Sequence, residues 1–399
     1  MVERTDSREA TVLVNGRIVL PDRLVEGRAL VVAGGVLRDI VEPDALGGEV
    51  ERVDVGGRYI APGLIDIHIH GANNHTFNEP SAEGYDAILS ACAARGVTSV
   101  LATLATAPIP SLVEGMRFAA AWKPASHRGA QVLGVHLEGP YFSQEQRGAQ
   151  NPRHIRTPDD GTVDALLEHH GVMRMMSFAP ELPGALDLTA RLTALGVVPA
   201  AGHSSALDTD VDLAIQAGLR HAIHLWSGQS TTVREGPWRR PGLLEASLAS
   251  DVLTGEVIAD DRHLPPTLLR LAYSCLGADR LCAVSDATSG AGLPEGGRFR
   301  MGEMEYEVHD GVGMLFDRTA FAGSTTLLGE MLPVLTQRAG IPLVEAVRMA
   351  SLTPARVIGV ADRKGSIAPG KDADLAILNA DLTVHRTMVA GEWVYSAET

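Results

Sequence analysis

Eight short apolar runs alternate with helix-like segments between residues 64 and 287, and this alternation restricts the fold more than any other feature of the chain. The runs are LIDIHIH (64–70), VTSVLATL (97–104), VLGVHLE (132–138), MRMMSFA (173–179), VVPAAGH (197–203), HAIHLW (221–226), EVIAD (256–260) and LCAVSDA (281–287). Four intervening segments are helical in pattern and close on glycine: AILSACAARG (87–96), ALDLTARLTALG (185–196), DTDVDLAIQAG (208–218) and TLLRLAYSCLG (267–277). Glycine is the residue expected just past a helix end. Eight strand–helix repeats in succession predict an α/β fold, a closed TIM-type (β/α)8 barrel. The competing doubly wound open sheet is weakened because no glycine-rich phosphate loop follows the first run.

The flanks read differently. TVLVNGRIVL carries an Asn15-Gly16 hairpin signal between β-rich runs, and ALVVAGGVLRDI repeats the pattern around Gly34-Gly35. LVEAVRMASLTPARVIGV (343–360) is helical, with Pro354 starting a second turn, and the chain then returns to short strands. Chain ends commonly lie close together, so the two β-rich termini are expected to meet. The expected organisation is a small β-sandwich from residues 1–58 and 363–399, around a catalytic barrel from 59–362.

Composition excludes several classes of function. There are 34 Lys+Arg against 49 Asp+Glu, a net charge of −15, so nucleic acid is not the expected partner. Hydrophobic residues make up 45 % and charged residues 21 %, which excludes wholesale disorder. No run reaches the 18 or so apolar residues of a membrane span, and MVERTDSREA lacks the apolar core of a signal peptide. Cys92, Cys275 and Cys282 are an odd number, widely spaced, and read as buried reduced thiols. Together these features point to a cytoplasmic protein without a membrane partner.

The chemistry concentrates at strand ends. Alternate side chains of a strand share a face, so Asp66, His68 and His70 point one way and Ile65, Ile67 and Ile69 the other. Two imidazoles beside an aspartate on an interior face carry a high desolvation cost unless a partner such as a metal ion joins them. Glu138, His203, His224 and Asp286 end four further strands, on the rim where barrel active sites form. His127, His154, His169, His170 and His385 fall in expected loops or helices and read as solvated.

The pattern resembles the amidohydrolase superfamily and, within it, the N-acetylglucosamine-6-phosphate deacetylases. The likeness runs nearly the whole chain: PGLIDIHIHG (62–71), GVTSVLATLATAP (96–108), HLEGP (136–140), AGHS (201–204), RRPG (239–242), SDAT (285–288), AGS (322–324) and GKDADL (370–375). HLEGP and AGHS in this order are the more specific marks. The resemblance implies that Glu138, His203 and His224 are metal ligands, and that His68 and His70 hold a second ion bridged by Glu138. It implies one or two divalent ions, zinc first, with iron, manganese and cobalt also suited to these donors. Asp286 matches the catalytic aspartate, His263 a histidine at the substrate carbonyl, and Arg239 a phosphate-binding arginine that reaches a neighbouring subunit, hence a homodimer.

The implied reaction is deacetylation of N-acetylglucosamine 6-phosphate. A bound zinc ion lowers the pKa of water from about 15.7 to near 7, so hydroxide exists at neutral pH. Asp286 serves as base and then as acid to the leaving amine. Donors at the developing oxyanion are worth about 3–4 kcal/mol. Three departures fall around the expected pocket. Gln150 stands where the family has histidine, Ser227-Gly228 where it has Asn-Ala, and Asp260-Asp261-Arg262-His263 replaces Asp-Gly-x-His. They leave open a different amino sugar, another epimer or one without phosphate. Hydrolysis of a cyclic amide or an N-acyl amino acid, and a non-catalytic sugar-binding role, are the remaining alternatives.

Overall fold

The computed structural model describes residues 10–45, 50–123 and 129–397. The charged first nine residues and His127 lie outside them. Eight parallel strands follow in chain order around one sheet: Leu64–Ile69, Val97–Ala105, Gln131–Glu138, Met173–Phe178, Val198–Ala201, His221–Ala222, Thr254–Ile258 and Leu281–Val284. The sheet closes between its last and first members through a parallel bridge, Ile69 to Ala287, and through Asp286 N donating to His68 O at 2.8 Å. Helices cover the outside. Ala82–Ala93, Ala185–Ala194, Asp208–Ala217 and Pro266–Leu276 are the four read from the sequence, with Gly218 (φ +124°) capping the third.

Residues alternate as the barrel requires. Ile65, Ile67 and Ile69 are buried in the large core shared with the helices. Asp66 and His68 face inward, where Asp66 Oδ1 accepts from the backbone N–H groups of His68 (3.3 Å) and Ser285 (3.2 Å). His136 is buried low in the barrel, its Nε2 3.0 Å from Ser177 Oγ and its ring edge-on to His68.

The termini build two sheets. Val36–Val41, Ala29–Ala33, Ala10–Val14 and Glu51–Asp54 form one, in that order. The other runs Glu392–Ser396, Val384–Val389, Leu375–Leu378, Tyr59–Pro62, Arg17–Val19, Leu24–Val25, so N- and C-terminal strands share it. Leu13, Ile18, Leu30 and Ile60 pack against Leu375, Ile377 and Met388 between them. These are apolar residues from strands far apart in sequence, and burying both sets in one core ties the chain ends together.

Three features depart from the expected pattern. The sixth strand stops at Ala222 rather than Trp226, because the chain turns at His224 (φ +23°) to bring that imidazole inward. A three-stranded antiparallel sheet, Arg298–Met301, Met304–His309 and Val312–Met314, is inserted after the eighth strand, with a small core of Phe299, Tyr306, Val308 and Ala322. Cys275 is exposed, not buried, because it falls on the solvent side of the helix Pro266–Leu276, whereas Cys92 and Cys282 are buried. Among the described residues no helix is long and apolar enough to cross a membrane.

Candidate active site and metal centre

The strand-end residues converge at the mouth of the barrel. Glu138 is the hub. Its Oε1 lies 3.1 Å from His203 Nε2, 3.2 Å from His224 Nε2 and 3.6 Å from His68 Nε2. Its Oε2 lies 3.3 Å from His70 Nε2 and accepts from Gln150 Nε2 at 2.6 Å. Asp286 Oδ1 faces the other side of the first pair, 3.3 Å from His70 Nε2 and 3.6 Å from His68 Nε2.

Two overlapping ligand sets result: His68, Glu138 and His224, and His68, His70 and Asp286, with the donor atoms of each set within 4.8 Å of one another. The donor chemistry fits a divalent ion. His68 Nε2 is wholly buried and has no hydrogen-bond partner, although two carboxylates flank it. A buried polar atom of this kind is costly unless a cation joins the cluster. His203 meets the same Glu138 oxygen as His224, and its Nδ1 lies 2.9 Å from the carbonyl oxygen of Gln146.

The backbone is bent to present these groups. His203 (φ +45°), His224 (φ +23°) and Asp286 (φ +45°) all adopt the left-handed region that non-glycine residues usually avoid. Such strain persists where surrounding contacts over-determine it, commonly at functional sites. Gly228 (φ +56°) packs against this ring, and a Cβ there would fall 2.6 Å from His203 Nδ1.

Electrostatics follow the geometry. Burial alone would raise the Glu138 carboxyl, but the imidazoles around it, His203 and His224 foremost, hold it well below the usual carboxylate range. Burial opposes charge on His70, yet Asp286 and Glu138 push its pKa up to about 9. Asp286 is likewise lowered against its burial, by His70 and then His68. Asp66, deep in the barrel, is raised by burial to about 7 despite its hydrogen bonds.

A cavity of about 280 Å³ opens over this ring. Gln150, Ser227, Gly228 and His263 line it together with His70, Glu138, His203, His224 and Asp286. Gln150 is held at both ends, its Oε1 accepting from Thr106 N at 3.0 Å. His263 Nδ1 is anchored on Asp260 Oδ2 at 2.7 Å, which leaves Nε2 as its ring nitrogen for a ligand. Arg239 is not part of the cavity. It sits on an exposed hairpin, Val233–Glu235 paired with Trp238–Arg240, where Trp238 is 73 % exposed.

Sequence reading missed several participants. Met301, Met304 and Phe321, from the inserted sheet and its return, form an apolar wall opposite the ring. Glu256 lies beneath it, fully buried, with His68 Nδ1 at 2.8 Å and His221 Nε2 at 3.0 Å. Its only mark in the sequence is a carboxylate opening the run EVIAD, which Asp260 also closes.

Comparison with known proteins places nearly the whole chain among relatives of one family. The model of the amidohydrolase family matches residues 59–394. The N-acetylglucosamine-6-phosphate deacetylase of Bos taurus is 33 % identical, covering 94 % of this chain and 95 % of its own. The N-acetylgalactosamine-6-phosphate deacetylase of Escherichia coli O157:H7 is 31 % identical, covering 94 % and 97 %. A solved Mycobacterium smegmatis N-acetyl-D-glucosamine-6-phosphate deacetylase, in complex with N-acetyl-D-glucosamine-6-phosphate, superposes with a TM-score of 0.89 at 29 % identity, over 97 % of this chain and all of that one. The chain belongs to the amidohydrolase family, in the branch whose curated members are named amino-sugar-6-phosphate deacetylases.

Proposed function

We propose that this chain hydrolyses the N-acetyl amide of an amino sugar 6-phosphate, N-acetylglucosamine 6-phosphate foremost, to acetate and the free amine. The observation that carries this reading is the position of Asp286: a cavity-facing carboxylate whose Oδ1 lies 3.3 Å from His70 Nε2, within the ring of ligand donors. The named relatives supply the substrate class.

A divalent ion, zinc foremost, would supply Lewis-acid polarisation of the carbonyl and a water of pKa near 7. His68, His70, Glu138, His203 and His224 would hold it in one or two places. Asp286 takes a proton from the attacking water and returns it to the amide nitrogen as the C–N bond breaks, so the leaving group departs as a neutral amine. His263, fixed by Asp260, meets the substrate carbonyl through Nε2. Gln150, Ser227 and Gly228 bound the sugar side of the cavity. Arg239 serves the phosphate of a neighbouring subunit's site, which makes the working form a homodimer in the cytoplasm. The barrel carries the chemistry, and the terminal segments, whose shared sheet also takes in Tyr59–Pro62, brace it.

A second reading has one observation in its favour. Among the described residues lining the cavity, none is Lys or Arg. A phosphate therefore depends on a cation brought from outside one chain, and an unphosphorylated or epimeric sugar fits the same cavity without it. Acetate release from N-acetylglucosamine and N-acetylgalactosamine, each with and without the 6-phosphate, decides between the readings. Preference for N-acetylglucosamine 6-phosphate supports the first. Preference for a free sugar or the other epimer supports the second. Release from none of the four, with metal bound, overturns both.

A further inference from the structure

Each imidazole of the ring has a second nitrogen, and what backs that nitrogen differs from ring to ring. His203 Nδ1 has a backbone carbonyl, from Gln146. His70 Nδ1 and His224 Nδ1 are buried without a partner. His68 Nδ1 alone among them is backed by a carboxylate, Glu256 Oε2, at 2.8 Å. We infer that Glu256 is the positioning residue of the metal centre, holding His68 in the tautomer and orientation that make its Nε2 a ligand.

The geometry supports this in three ways. Glu256 is 0 % exposed in the barrel floor, so solvent does not compete for its oxygens. Its Oε1 faces His221 Nε2 at 3.0 Å, and His221 Nδ1 in turn faces Thr254 Oγ1 at 2.6 Å, which keeps the carboxylate from rotating away. Its Oε2 also accepts from the backbone N–H of His224 at 3.1 Å, at the residue where the chain turns left-handed. One carboxylate thus touches two members of the first set, the His68 ring and the His224 turn, and reaches the second set through the shared His68. An ionised carboxylate accepts and does not donate, so His68 Nδ1 carries the proton and Nε2 keeps its lone pair toward Glu138 and Asp286. A carboxylate behind a ligating imidazole also raises its basicity, and losing one typically costs about 10–100-fold in metal affinity.

The test is divalent-ion affinity, read by chelator competition with zinc, together with the visible spectrum of the cobalt-loaded protein. Glu256→Gln keeps size and burial and removes the charge; Glu256→Asp keeps the charge on a shorter arm. Ser177→Ala, which removes the partner of His136 in the same barrel floor, is the control for general disturbance. The expected result is a loss of about 10–100-fold in affinity for Glu256→Gln, an altered cobalt spectrum, partial recovery in Glu256→Asp, and wild-type affinity in Ser177→Ala. Unchanged affinity and spectrum in Glu256→Gln overturn the inference, as does an equal loss in Ser177→Ala. If Glu256→Gln fails to fold, Glu256→Asp carries the test on the same two readouts. The inference rests on the metal-centre reading. Wild-type protein that binds neither ion overturns both, whereas tight wild-type binding left unmoved by Glu256→Gln overturns only the role of Glu256.

Discussion

The inner ring of the cavity and its outer wall enclose the same space and are built on opposite plans. The ring, His68, Glu138, His224 and Asp286, stands at the ends of barrel strands and is at most 9 % exposed. Its members lock one another through contacts of 3.2–3.6 Å. The wall, Met301, Met304 and Phe321, stands on a separate small sheet and its return, and Phe321 is 42 % exposed. That sheet reaches the loop after the third strand through Tyr306 Oη donating to Ala149 O (2.8 Å) and through Glu303, 2.8 Å from Arg153 and 3.1 Å from His154. The difference teaches where change is tolerated. A metal and a proton-transfer group need fixed geometry, so they occupy the sheet that the whole barrel core supports. Substrate fit varies by apolar contact, which a satellite sheet supplies without disturbing the ring.

The sharpest way to break this comparison is Asp286→Asn. Turnover is expected to fall about 10²–10⁴-fold while the ion of the set His68, Glu138 and His224, read by elemental analysis, is retained. Unchanged turnover would sink the role of the carboxylate and remove the chemistry from the ring.

The next effect is a dependence on pH. In chelator-treated protein, His70 is raised to about 9 by Asp286 and Glu138 against its burial. A raised histidine contributes stability that is fully present below its unfolded pKa near 6.5 and is lost as pH rises through about 9. Chelated protein should therefore lose thermal stability across that interval. Ion binding at pH 7 displaces the same proton, so affinity should rise by about tenfold per pH unit up to about 9. Calorimetry in buffers of different ionisation enthalpy measures the released proton; no proton release would show that the ring is not protonated without its ion.

Met304→Ala tests the other side. Trimming the apolar wall should raise KM by about tenfold with kcat nearly unchanged. A collapse of kcat instead would mean that the wall takes part in the chemistry, and the contrast between the regions would fail. The smallest effect expected is that of Glu303→Ala, which removes an exposed ionic link between the sheet and the loop that carries Gln150. KM should move by less than about fivefold, and a larger change would show that the wall is held at that one point.

Much of the ring was legible in the chain because strand periodicity is local. His68 and His70 are two residues apart, and period two puts them on one face wherever the strand sits. Glu138, His203 and Asp286 lie at or next to the ends of apolar runs, His224 lies toward the end of HAIHLW, and closure of the barrel brings such ends together. Glu256 was less legible because nothing local distinguishes a buried carboxylate that backs an imidazole from one that opens a strand toward solvent. The inserted sheet at 298–314 was missed because its strands are short and half-buried, with a core of four residues that has no long apolar run to mark it. Cys275 was misread because apolar neighbours along the chain do not say which side of a helix faces water.

The chain by itself determined the order of strands and helices, the alternation that sorts isoleucines from imidazoles, and which residue types stand at each strand end. These are set by spacings of two to four residues, and such spacings survive any arrangement of the parts. Only the tertiary structure decided which oxygen of Glu138 meets which histidine, that one carboxylate backs His68, and that Arg239 lies outside its own chain's cavity. Those relations join residues up to 188 positions apart. Their distances follow from barrel closure and from three left-handed turns, which packing around the whole ring sustains against local backbone preference.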